Sequence, residues 1–198
     1  MVSLAVVLGS LFPIVTALLA FKILHERLHK VQYIGNIYQL PYDKNEEVEK
    51  FVWADYIIYH TPIWWFQLPN GLKKYIDEVF TAGHAKGIYM SDGRNAENPE
   101  INYGTGGMLG GRKYMLTTSW NAPATAFTLP GEFFSEKSVD DGPLFGFHRM
   151  NAFVSLEKME SFHFHDVEKN ANIERDMKLY RDHVRNVFEK ELKPELVS

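Results

Sequence analysis

The chain has 198 residues, enough for one domain with a real core, and its balance of 45% apolar to 23% charged residues is that of a folded globular protein. A net charge of −4, with no Lys/Arg block, argues against a nucleic-acid partner. The absence of cysteine excludes disulfides, zinc ribbons and thiol catalysis.

The first forty residues are a different kind of sequence. Lys22, Glu26, Arg27 and Lys30 give them +2, which leaves −6 for the remainder of a chain whose total is −4. Val2 to Phe21 carries no charge, and such a run is long enough to cross a bilayer core of about 30 Å as a helix. A secretory signal would want an early positive side chain and a small-residue cleavage site. The readings left are a buried helix and a membrane helix or its remnant. A spanning helix would keep Lys22, Arg27 and Lys30 on the cytoplasmic side. Leu11-Phe12-Pro13-Ile14-Val15-Thr16, Glu26-Arg27-Leu28 and Gln32-Tyr33-Ile34-Gly35 resemble the tail of an EamA-type drug/metabolite transporter. That resemblance implies a gene junction near residues 36–41. An atypical apolar segment, 1–40, would then precede a domain spanning 41–198.

From there strands and helices alternate. Glu46 to Phe51 reads as the end of a helix, and Tyr56-Ile57-Ile58-Tyr59-His60 as a strand stopped by Pro62. Leu72, Tyr75, Ile76, Val79 and Phe80 recur at helical spacing over Gly71–Ala82. A polar excursion from His84 to Gly111 is too long for an ordinary connection. Lys113–Thr118 reads as the next buried strand and Gly142–Phe153 as a helix. Glu160–Val167 alternates like a strand, and Ile173, Met177, Tyr180, Val184, Val187 and Phe188 form the apolar face of a closing helix. This alternation predicts an α/β fold with a parallel sheet, whose ligands sit beyond the C-terminal ends of strands.

Two motifs lie there. Pro62-Ile63-Trp64-Trp65-Phe66 follows the first of these strands. Its adjacent tryptophans fit either a flat aromatic ligand, or a core contact plus a dimer contact. Ser119-Trp120-Asn121-Ala122 follows the next strand. It offers either polar contacts to a pyrimidine-like ring edge or a plain exit from the strand.

Together with Phe51-x-Trp53-Ala54-Asp55, Lys73-Lys74-Tyr75-Ile76-Asp77, Ser91-Asp92-Gly93-Arg94, Tyr103-Gly104-x-Gly106-Gly107 and Trp120-Asn121-Ala122-Pro123, these loops resemble the modulator-of-drug-activity-B type of NAD(P)H:quinone reductase, from about residue 42 onward. The resemblance implies a flavodoxin-like doubly wound parallel sheet, FAD at the strand ends, and a homodimer with active sites at the subunit interface. It implies that Pro62, Ile63, Trp64 and Trp65 form one wall of the flavin site. Ser119, Trp120, Asn121 and Ala122 would form the other, and Tyr103 would reach in from the long loop, from its own or the partner subunit. NADH or NADPH would reduce the flavin and a quinone would reoxidise it, in a ping-pong cycle. Tyr103 and His148 are candidate proton donors to the quinone. The family's polar phosphate-gripping loop after the first strand has no counterpart in residues 1–40, where Gly9-Ser10 is the nearest mimic. Alternatives are a nitroreductase or azoreductase using the same flavin, or a non-catalytic, membrane-tethered remnant.

The remaining signals are weak. The Gly104–Gly111 run precedes a strand rather than following one, so a flexible turn is favoured over a phosphate loop. His163-x-His165 lacks a third ligand, and no metal is expected.

Overall fold

The computed structural model describes residues 31–34 and 41–192. Among the described residues five parallel strands form one sheet: β1 (Val31–Ile34), β2 (Tyr56–Pro62), β3 (Lys113–Ser119), β4 (Glu157–Lys158) and β5 (Phe162–Phe164). The order is β1-β2-β3, and β4 and β5 both pair with the far edge of β3. Glu157 lies opposite Lys113 and Phe162 opposite Thr117, so the offset grows from 44 to 45. One extra residue therefore sits in Met159–Ser161 as a bulge; of the strand expected over Glu160–Val167 only Phe162–Phe164 pairs, and β4 lies before it.

β2 and β3 are buried on both faces, as their near-continuous apolar runs require. Ile57, Tyr59, Tyr114 and Leu116 point to one face, where α1 (Lys44–Trp53), α2 (Asn70–Ala82) and α4 (Phe145–Phe153) cover them. Ile58 and Met115 point to the other, against Met177, Tyr180, Val184 and Phe188 of α5 (Ile173–Leu192). A short α3 (Thr125–Thr128) follows the second loop. Asp43 caps α1 by accepting from the Asn45 and Glu46 N–H groups. Arg112 caps its far end, donating to the Val52 carbonyl at 2.6 Å. Helix α4 begins at Phe145, later than the Gly142 expected, because Gly142–Leu144 form a turn.

Val31–Ile34 departs from the atypical helical segment expected over residues 1–40. These residues form a strand in register with Tyr56–Tyr59. A run of Val, Gln, Tyr and Ile has the composition of a strand, and the open edge of β2 gives it backbone partners. The expected span over residues 2–21 and the Gly9-Ser10 mimic lie outside the described residues. Among the described residues, no helix is long and apolar enough to cross a membrane.

Candidate active site

The C-terminal ends of β2 and β3 are tied together. The Ile63 N–H donates to the Ser119 carbonyl at 3.0 Å, so the two expected loops leave the sheet side by side. Trp64 and Gln67 then exchange two backbone hydrogen bonds of 3.0 Å around a two-residue turn. Its central residues, Trp65 (φ 48°) and Phe66 (φ 64°), are both left-handed. Such a turn normally takes Asn-Gly, and an L side chain there costs about 1–2 kcal/mol per residue. Two aromatics in succession are thus held against local preference, which is characteristic of functional sites.

Neither tryptophan enters the core: Trp64 is 53% exposed and Trp65 92%. Phe66 anchors the turn instead, packing on Phe133 (5.3 Å between centroids) and Phe134 (5.6 Å). The Gln67 amide donates to the Pro143 carbonyl at 3.2 Å. Pro62 and Ile63 are half-buried at the base.

The second loop is pinned from behind by β5. The Trp120 N–H donates to the Phe164 carbonyl (2.9 Å), Val167 N–H to the Trp120 carbonyl (3.1 Å), and Asp166 N–H to the Ala122 carbonyl (3.2 Å). Asn121 is exposed, Ala122 half-buried and Ser119 at the edge of burial. The Trp120 indole, expected to face the ligand, is instead buried. It stands edge-on to Phe127 (5.1 Å) and Phe134 (6.1 Å), and its Nε1–H donates to Thr118 Oγ1 at 2.8 Å. Bulk and a satisfied indole N–H make it a core residue under the site.

Tyr103 is 69% exposed and stands apart from both loops. Its ring meets Phe153 at 5.7 Å, with the Arg94 guanidinium 5.5 Å from its centroid. It lines a cavity of about 450 Å³ between α2 and α4, together with Phe80, Tyr89, Arg149 and Met150. No residue of Pro62–Trp65 or Ser119–Ala122 lines that cavity. The glycine-rich run behind Tyr103 is packed at its middle: a Cβ on Gly106 would lie 2.2 Å from the Ser91 carbonyl oxygen and one on Gly107 2.3 Å from the Val154 carbonyl carbon, while Gly110 and Gly111 are open.

His148 is held in a network. Its Nε2 lies 2.8 Å from Asp140 Oδ1, and its Nδ1 lies 2.7 Å from the Tyr114 hydroxyl. Asp140 also meets His163 Nε2 (3.1 Å) and Lys158 Nζ (2.5 Å). Burial pushes the Asp140 carboxyl up, but hydrogen bonds from His148, His163 and Lys158 outweigh it and hold the group well below the usual carboxylate range. Burial lowers the nearby His165, and His163 adds to that effect. Nothing local marks Asp140, because 23 positions separate it from His163 and it reads as an ordinary loop acid.

Residues 18–187 match the flavodoxin-like fold family. The chain belongs to that family. The match begins inside the segment resembling a transporter tail, and that second resemblance gains no support. This flavodoxin-like chain is 46% identical over 147 residues to the NADPH:quinone oxidoreductase MdaB of Haemophilus influenzae, covering 74% of this chain and 76% of that one. It is likewise 46% identical to an uncharacterized protein of Schizosaccharomyces pombe, over 74% of each chain. The general stress protein 14 of Treponema denticola, solved in complex with FMN, superposes with a TM-score of 0.55 at 25% identity, covering 76% of this chain and 77% of that one. The resemblance to quinone reductases read from the two loops is thereby borne out, and the flavodoxin-like chain stands among oxidoreductases.

Proposed function

We propose that this chain is a flavin-dependent NAD(P)H:quinone oxidoreductase that uses FAD in a ping-pong cycle. The observation that carries the reading is the exposed, left-handed Trp65-Phe66 turn set beside the Ser119–Ala122 loop at the strand ends. The residues present fit the planar part of a flavin: apolar Ile63 with the aromatic Trp64 and Trp65 would form one wall, and Ser119 and Asn121 on the adjacent loop a polar one. Pro62 stiffens the first loop, Ala122 closes the second, and Trp120 supports it from beneath. A bound flavin would carry two electrons from NADPH or NADH to a quinone, with a proton completing the hydroquinone.

The chain's own part is to stack, orient and exclude water. In this reading the flavin site is shared by two copies in a homodimer, and Tyr103 is supplied by the second copy, because within one chain it stands apart from both loops. Tyr103 and His148 are the proposed proton donors to the quinone, and the Asp140 carboxylate, 2.8 Å from His148 Nε2, orients that ring. The reductase domain, which takes in β1 together with the proposed residues 41–198, works where NAD(P)H is supplied, in the cytoplasm.

FMN is the second reading for the cofactor, favoured by the FMN complex of the Treponema protein. Purified protein titrated with FAD and with FMN should develop bound-flavin absorbance with one in preference to the other. The loaded protein should oxidise NADPH or NADH only when a quinone is present, with parallel lines in double-reciprocal plots. Failure to bind either flavin would overturn the reading.

A further inference from the structure

The hydrogen bonds around Asp140 form one directed chain that ends beneath the site. The Trp120 Nε1–H donates to Thr118 Oγ1 (2.8 Å), and the Thr118 hydroxyl lies 2.7 Å from His163 Nδ1. The Asp140 carboxylate can only accept, so His163 Nε2, 3.1 Å from Oδ1, carries a proton, and in the neutral ring Nδ1 accepts from the Thr118 hydroxyl. A second branch has the same sense, from the Tyr114 hydroxyl to His148 Nδ1 and from His148 Nε2–H to the same carboxylate oxygen. Lys158 holds the other oxygen and supplies the compensating charge. Each donor thus has one acceptor, and Asp140 sets the direction of the whole chain.

Trp120 is where this chain meets both loops. Its backbone belongs to the second loop, and its ring abuts Phe134, which in turn packs on Phe66 of the first. We propose that Asp140, acting through His163 and Thr118, is a positioning residue: it fixes the Trp120 indole and thereby the separation of the two loops that hold the flavin ring. This rests on the flavin-binding reading above. Cutting any link leaves a buried N–H or O–H without a partner, and the indole loses the bond that sets its tilt between Phe127 and Phe134.

The test uses the full chain with Thr118→Val, which keeps the shape and removes the hydroxyl, and Thr118→Ser, which keeps the hydroxyl. FAD and FMN affinities are measured by fluorescence titration, and the Trp120 indole N–H is followed by nitrogen-15 NMR. Thr118→Val is expected to lose about tenfold in flavin affinity, the effect of one broken buried hydrogen bond, and to shift the Trp120 indole resonance. Thr118→Ser should return both to near wild type. Asp140→Asn should move the same resonance although Asp140 does not touch the ring; if that variant does not fold, the Thr118 pair carries the test. Equal flavin affinity in Thr118→Val and wild type sinks this inference alone, as does an equal loss in Thr118→Ser. A wild type that binds neither flavin removes the underlying reading as well.

Discussion

Asp140 accepts from His148 Nε2 at 2.8 Å, joining a loop residue to helix α4 just below the site. The hydrogen bonds to this carboxylate depress its pKa in the folded state. The sign follows from linkage: a depressed acid contributes its full stabilisation above its unfolded pKa of about 3.9 and loses it as pH falls below that value toward the folded pKa. Asp140→Asn should therefore cost roughly 1–2 kcal/mol at neutral pH, between the values for exposed and buried charged pairs. It should also flatten the acid limb of the stability curve below about pH 4. Urea melts of both proteins across that range check this, and parallel acid limbs would show that Asp140 is not the group responsible.

His60, on the opposite face of the sheet against Tyr180, gives a second pH signature at higher pH. Burial lowers its pKa to about 3. The unfolded chain binds a proton near pH 6.5, so the contribution is complete above that value and falls away steadily between about pH 6.5 and the folded value. His60→Phe should reduce the slope of stability against pH in that window. A slope unchanged from wild type would count against a neutral His60.

Trp65 separates stability from function. At 92% exposure it gives the fold almost no burial, and its φ of 48° is unfavourable for any side chain. Trp65→Gly is therefore expected to stabilise the chain by about 1 kcal/mol. The same change removes a stacking surface worth about 0.5–1.5 kcal/mol beyond area burial, so flavin affinity should fall at least severalfold. Thermal melts and flavin titration on the same variant make the comparison. A variant that is less stable yet binds flavin normally would contradict both halves.

Much of the fold is legible in the sequence because burial imposes periodicity. Leu72, Tyr75, Ile76, Val79 and Phe80 are all buried on α2, as their spacing demands. The alternation around residue 163 likewise puts His163 and His165 on one face and Phe162 and Phe164 on the other. What stays hidden is whatever depends on contacts distant in sequence. β4 is two exposed residues with no pattern of their own, and β1 is a short run whose partner lies 25 positions away. Trp120 reads as a ligand residue from its place after β3, yet β5 and Phe127 enclose it. The Asp140 network is assembled from a loop, a helix and three strands, and none of those segments announces it.

The glycine-rich run shows the same limit in a testable form. Its composition reads as a flexible turn, but Gly106 packs against Ser91 so closely that an added Cβ would stand 2.2 Å from the carbonyl oxygen. Gly106→Ala should cost about 2 kcal/mol through backbone displacement. Gly110, where nothing lies within 4 Å of an added Cβ, should accept alanine within about 0.5 kcal/mol. Chemical denaturation of the two variants distinguishes a packed loop from a loose one.

If Tyr103 serves the flavin of a second copy, complementation will reveal it. At a flavin concentration too low to fill weakened sites, Trp65→Ala and Tyr103→Ala are each expected to leave every site in their own homodimers largely empty. Mixed after unfolding and refolding together, half of the dimers carry one chain of each kind. In these, one site receives an intact Trp65 from one chain and an intact Tyr103 from the other, while the second site lacks both. Activity should then recover to about a quarter of wild type, the product of half the dimers and half their sites. If Tyr103 acted on its own chain's flavin, no site in the mixture would be whole and activity would stay at the level of the single variants. The measurement is quinone-dependent NADPH oxidation before and after co-refolding, with wild type carried through the same treatment as reference.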